Sequence, residues 1–131
     1  MSAVVDASFI AEALVNPATD RGQRALELLD PLATIHVPSH WRVEVLSILR
    51  GLAIAKKLTE HAAQRARRAM ADLYVETHPI REVERIWELR HNLTTYDAAY
   101  VALAETLDVP LFTADKRIKD VGVAQCAIEV L

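Results

Sequence analysis

Thr94-Thr95-Tyr96-Asp97-Ala98-Ala99-Tyr100-Val101-Ala102-Leu103-Ala104, followed by Leu111-Phe112-Thr113-Ala114-Asp115, sets the fold class. In the first run Asp97, Tyr100, Val101 and Ala104 recur at helical spacing. The second is a short apolar pair and a β-branched residue ending in an acid, the pattern of a buried strand. Outward from this pair the alternation continues to both ends of the chain. Strands are expected over 3–5, 34–37, 74–77, 111–113 and 127–130. Helices are expected over 8–15, 20–29, 39–56, 81–91 and 95–107, with one more starting at Thr59. Asn16-Pro17 and Asp30-Pro31 stop the first two helices, Asp20 is the expected cap of the second, and Pro38-Ser39 opens the third. Short strands alternating with helices make an α/β fold whose central, mainly parallel sheet is covered by helices.

The chain has 131 residues, 52% of them hydrophobic and 25% charged, which suits one domain spanning 1–131 with one core. No repeat, low-complexity tract or linker divides it. Aromatic residues make up only 5%, so Leu, Val, Ile and Ala fill the interior. The apolar runs are short and no basic leader with a long apolar segment precedes the first strand, so a cytoplasmic protein without a membrane span is expected. The single cysteine, Cys126, has no partner for a disulfide or a zinc site and reads as a buried structural thiol. A net charge of −3 argues mildly against nucleic-acid binding. That objection weakens if several acids are gathered around a cation.

Four acids stand where acids are awkward. Asp6 follows Ala3-Val4-Val5, at the carboxyl end of the first strand, the edge where open parallel sheets bind ligands. Asp115 has the same relation to Leu111-Phe112-Thr113. Glu44 borders the stripe Trp41, Val45, Ile48, Leu49 and Leu52, with Ser47 and Gly51 beside it. Asp97 shares a face with Tyr100, Val101 and Ala104. Taken singly, each has a local explanation. Asp6 and Asp115 suit helix caps, Thr94 and Asp97 have the form of a capping box, and Glu44 suits a pair with Arg42 or His40. Jointly, two follow strands and two lie on helix faces against the core. Four carboxylates about 4 Å apart repel by roughly 4 kcal/mol per pair at an effective dielectric near 20, so such a group needs protons or a divalent ion. Oxygen-only donors select Mg²⁺ or Mn²⁺ over zinc.

The segments Val4-Val5-Asp6-Ala7-Ser8, Val43-Glu44-Val45-Leu46, the quoted helix and Leu111-Phe112-Thr113-Ala114-Asp115-Lys116-Arg117 resemble, in order and spacing, the PIN-domain VapC toxins. The resemblance spans nearly the whole chain, and Tyr-Asp-Ala-Ala-Tyr-Val-Ala-Leu-Ala followed by Thr-Ala-Asp is its most specific part. It implies an RNase H-like three-layer α/β/α PIN fold, a metal-dependent endoribonuclease, homodimerisation and inhibition by a VapB-like antitoxin. On this resemblance Asp6, Glu44, Asp97 and Asp115 form an acidic quartet holding Mg²⁺ or Mn²⁺, with Ser8 and Thr113 supporting it by hydrogen bonds. The same resemblance implies that water rather than the ribose 2′-OH attacks, leaving 5′-phosphate and 3′-hydroxyl ends.

Candidate RNA contacts are Lys116 and Arg117 beside Asp115, and Arg42, Arg50, Lys56, Lys57, Arg65, Arg67 and Arg68 on the third helix and its neighbour. The five histidines show no HExxH or related ligand spacing, and a mixed His40–Glu44 metal site is disfavoured. Trp41 and Trp87 fall at apolar helical positions and suit core or dimer contacts better than base stacking. A receiver domain needs paired acids after the first strand, and a haloacid-dehalogenase-like phosphatase needs a second Asp where Ser8 stands. Three glycines and no phosphate loop disfavour nucleotide-binding folds. The remaining alternative is a non-catalytic module of the same fold that binds RNA or protein.

Overall fold

A computed structural model describes residues 1–131. Its strands are β1 (Ser2–Val5), β2 (Thr34–Pro38), β3 (Glu76–His78), β4 (Leu111–Thr113) and β5 (Ile128–Val130). The helices are α1 (Ala7–Val15), α2 (Asp20–Leu29), α3 (Trp41–Ile54), α4 (Glu60–Ala71), α5 (Val83–Glu88), α6 (Thr95–Leu107) and α7 (Lys116–Asp120). A 3₁₀ turn over Leu89–His91 extends α5.

The five strands form one all-parallel sheet in the order β3-β2-β1-β4-β5. From β1 the chain steps outward through β2 to β3, then returns past β1 to β4. Strand order therefore reverses between β1 and β4, which leaves a crevice at their carboxyl ends. Right-handed crossovers place α1 to α4 on one face of the sheet and α5 to α7 on the other, the expected three layers. Side-chain contacts agree. The Phe9 and Phe112 rings lie 5.6 Å apart, which puts α1 over the face carrying Ala3, Val5 and Phe112. Meanwhile α6 packs across β1, β2 and β4. Strand alternation gives α6 the opposite face, with Val4, Leu111, Thr113 and His36.

One cluster of 27 buried residues joins both layers. In α6 every residue from Ala98 to Ala104 is buried, so the alanines let the helix lie close to the sheet. Trp41, Val45 and Leu49 are the buried stripe of α3. No helix is long and apolar enough to cross a membrane.

Several boundaries differ from the sequence expectation. Thr19, not Asp20, caps α2, its side chain accepting the Gly22 N–H; Asp20 is the first helical residue. Pro38 closes β2 instead of opening α3, which starts at Trp41. Strand β3 lies two residues later than Tyr74, because Tyr74 is solvent-exposed and pairing with β2 begins at Glu76. Trp41 is fully buried, but Trp87 is exposed with the Arg90 guanidinium over its ring. Cys126 is only partly buried, and burial pushes its thiol up, away from the reactive thiolate.

Candidate active site

Asp6 ends the central strand and begins α1. Its N–H donates to the Phe112 carbonyl at 3.0 Å, extending the β1–β4 ladder by one residue. Its side chain turns back as the α1 cap, Oδ1 accepting the Phe9 N–H at 3.0 Å. Two hydroxyls complete its shell: Ser8 Oγ donates to Oδ1 at 2.6 Å and Thr113 Oγ1 to Oδ2 at 2.5 Å. Those hydroxyls accept in turn from the turn after β4, Ser8 Oγ from the Ala114 N–H at 3.1 Å and Thr113 Oγ1 from the Asp115 N–H at 3.0 Å. The exits of β1 and β4 are thus tied together through one buried carboxylate.

Asp6 is 3% exposed and Thr113 fully buried. Desolvation pushes the Asp6 carboxyl up to about 6, although Ser8, Thr113 and the Phe9 N–H favour its ionised form and pull the other way. Asp97 lies in the first turn of α6, where Thr94 Oγ1 caps the helix by accepting the Asp97 N–H at 3.2 Å. Burial raises its carboxyl too; the Thr94 hydroxyl opposes this, and the charges of Glu44 and Asp115 add to it.

Glu44 faces the same space from α3. Its Oε1 lies 2.7 Å from His40 Nε2, one turn earlier, so the local pairing with His40 coexists with a place in the cleft. The His40 ring packs edge-on to Tyr100 and tilted against Tyr96, both on α6. Burial, then the Glu44 carboxylate, push the Tyr100 hydroxyl up, so it stays protonated.

Asp115 caps α7, Oδ1 accepting the Arg117 N–H at 3.0 Å. The Arg117 guanidinium then clasps the same carboxylate with two bonds, Nε to Oδ1 at 3.0 Å and Nη2 to Oδ2 at 2.7 Å. That contact holds the Asp115 carboxyl below the usual range. Nothing in the sequence pattern signalled this clasp.

Asp6, Glu44, Asp97 and Asp115 line one cleft of about 100 Å³, together with Ala7, Ser8, Ile48 and Tyr100. Two further hollows adjoin it. One of about 190 Å³, bounded by Asn92, Thr94 and Arg117, shares Asp97 and Asp115. Another of about 340 Å³, bounded by Val43, Ser47 and Tyr96, shares Glu44. The donor set fits a hard divalent ion. Its four carboxylates offer oxygen alone, burial raises two of them, and a third, Asp115, is already compensated by Arg117.

The basic candidates separate. Lys116 and Arg117 are exposed beside the cleft. Arg42 lies over the Trp41 ring at 4.8 Å. Arg50 and Arg67 line a different groove, about 410 Å³ between α3 and α4, together with Leu46, Leu49, Ala53 and Ile54.

Comparison with known proteins agrees with this architecture. The PIN-domain family model matches residues 3–124. The chain is 44% identical over 129 residues to Ribonuclease VapC9 of Mycobacterium tuberculosis, covering 98% of this chain and 97% of that one. Among solved structures, the sarcin-ricin-loop-cleaving toxin VapC20 of M. tuberculosis superposes with a TM-score of 0.66 at 21% identity, covering 95% and 98% of the two chains. VapBC2 of Rickettsia felis, bound to a DNA fragment from its promoter, superposes at 0.65 and 18% identity over 100% and 99%.

Proposed function

This chain belongs to the PIN-domain family, and from that membership we propose that it is a VapC-type endoribonuclease toxin, hydrolysing RNA phosphodiesters with Mg²⁺ or Mn²⁺ in the acidic cleft. The observation that carries the reading is the convergence of Asp6, Glu44, Asp97 and Asp115 around one cleft at the sheet's reversal point, in a chain 44% identical to a VapC ribonuclease.

Asp6, Asp97 and Asp115 would hold the ion. When bound, such an ion acidifies the attacking water and stabilises charge on the scissile phosphate and leaving oxygen. Glu44, whose Oε1 lies 2.7 Å from His40 Nε2, would complete the shell or orient the attacking water. Ser8 and Thr113 fix both oxygens of Asp6, so the carboxylate needs no reorganisation during the reaction. Arg117 is the cation nearest the acids and is the candidate phosphate contact, with Lys116 beside it. Tyr96, exposed on the rim of the hollow shared with Glu44, offers a face on which a base can stack. No protein nucleophile is required.

A VapB-like antitoxin and a second copy of the chain, as a homodimer, belong to the same reading, as does action in the cytoplasm. Exposed Val43, Leu46 and Ile54 on α3 support a protein partner, since apolar side chains clustered on one helix mark an interaction surface.

Purified protein incubated with RNA tests the proposal. Cleavage is expected with Mg²⁺ or Mn²⁺, to stop with EDTA, and to leave 5′-phosphate ends. Asp6→Asn and Asp97→Asn should each reduce the rate at least about 100-fold while circular dichroism stays unchanged. Undiminished cleavage in EDTA, or in both variants, would refute it; tight RNA binding without turnover would indicate the non-catalytic module.

A further inference from the structure

We infer that His36, Glu76 and His78 form a second metal site, chemically distinct from the acidic cleft, that takes a zinc-class ion and fastens edge strand β3 to β2. His36 lies on β2, Glu76 and His78 on β3, and parallel pairing sets His36 opposite Glu76 and Pro38 opposite His78. Residues two apart on a strand share a face, so the register projects all three side chains to one side of the sheet. That is the α6 side, since His36 pairs with Val4. There α6 covers β1, β2 and β4, while β3 forms the sheet margin.

The donor atoms are already gathered. His36 Nδ1 and His78 Nε2 share a hydrogen bond of 2.9 Å, His36 Nδ1 lies 3.8 Å from Glu76 Oε2, and His78 Nε2 lies 3.8 Å from Glu76 Oε1. Donors about 2.0–2.1 Å from a tetrahedral zinc stand about 3.3 Å from one another, a spacing these separations bracket. Two imidazoles and one carboxylate favour Zn²⁺, Co²⁺ or Ni²⁺ over Mg²⁺, the opposite of the oxygen-only cleft. The histidine side chains are 14% and 22% exposed and Glu76 59%, so an ion can enter from solvent and water can complete its shell. None of the three lines the acidic cleft. They stand 42 and two residues apart in the chain, which is why no ligand spacing announces them.

The test uses the full chain without an affinity tag and the Asp6→Asn/Asp97→Asn variant, titrated with Zn²⁺ against a chromogenic chelator. Each is expected to bind one equivalent at this site, to gain thermal stability as zinc is raised, and with Co²⁺ to show the intense visible bands of four-coordinate cobalt. His36→Ala and His78→Ala should each weaken uptake at least about tenfold. Glu76→Gln, at an exposed position that tolerates substitution, should weaken it and lose the zinc-dependent rise in Tm. Uptake abolished by Asp6→Asn/Asp97→Asn but intact in the histidine and Glu76 variants would place zinc among the acids and overturn the inference. Absence of saturable binding by the unaltered chain would overturn it as well.

Discussion

Asp6 accepts three hydrogen bonds and still holds its proton to about pH 6, because removing a carboxylate from water outweighs what its three donors return. In the metal-free protein the folded state therefore binds this proton more tightly than the unfolded chain. Stability from protonation is fully present below the ordinary value near 3.8 and is lost as pH rises through about 6. At about 1.4 kcal/mol per tenfold change in proton affinity, the loss is roughly 3 kcal/mol. Asp97 shifts in the same direction. Asp6→Asn, expected to cripple cleavage, should thus raise Tm at pH 7.5 in EDTA, while Mg²⁺ should stabilise the parent and not the variant; calorimetry at both conditions checks this. The cleavage rate at limiting Mg²⁺ should climb through about pH 6 as Asp6 ionises, with the midpoint falling as Mg²⁺ is raised. Arg117 acts in the opposite sense, as a fixed cation on Asp115. Arg117→Ala should lower the Mg²⁺ concentration needed for half-maximal rate and raise KM for RNA, a split that steady-state kinetics resolves.

The site depends on how its elements begin and end. Thr94 holds the first turn of α6 and with it the position of Asp97. Thr94→Ala should cost about 1 kcal/mol in urea unfolding and reduce cleavage more than that loss explains. Gly22 on α2 lies so close to the α1–α2 turn that an added Cβ would sit 1.6 Å from the Asn16 carbonyl oxygen. Gly22→Ala should cost about 2–4 kcal/mol by forcing the two helices apart, measurable in the same unfolding experiment. At this scale the sequence was most legible where burial is two-sided. The runs Ala3-Val4-Val5 and Leu111-Phe112-Thr113 lie within the core, so the acids following them read as strand-end acids. Edge strand β3, with the polar Glu76-Thr77-His78, carries little hydrophobic signal, and the expected strand slid onto the preceding Tyr74-Val75. The caps of α1, α6 and α7 were readable because they act within three residues. The His40–Glu44 pair was readable for the same reason. The Arg117 clasp was not, since a flexible cation two residues from an acid can equally point away. The His36–Glu76–His78 group depends on strand register, a property of neighbours far apart in sequence.

Across the whole molecule, three hollows share acids in succession, from Arg117 and Asn92 past the four carboxylates to Val43 and Tyr96. A strand of RNA lying along them would have its phosphate at the acids, one flank near Arg117 and a base against Tyr96. Tyr96→Ala should raise KM several-fold with kcat nearly unchanged, whereas Tyr96→Phe should behave as the parent. Composition alone, with a net charge of −3, argued against such a substrate. A cation held among the gathered acids would offset that charge and leave the remaining surface close to balanced.

The bond from Thr113 to Asp6 joins residues 107 positions apart. During translation Asp6 leaves the ribosome long before β4 is made, and until then its carboxylate lacks one of its two hydroxyl donors and Asp115 altogether. A nascent chain should accordingly be unable to cut the RNA that surrounds it during synthesis, since the proposed site is complete only when the second half of its crevice emerges and docks.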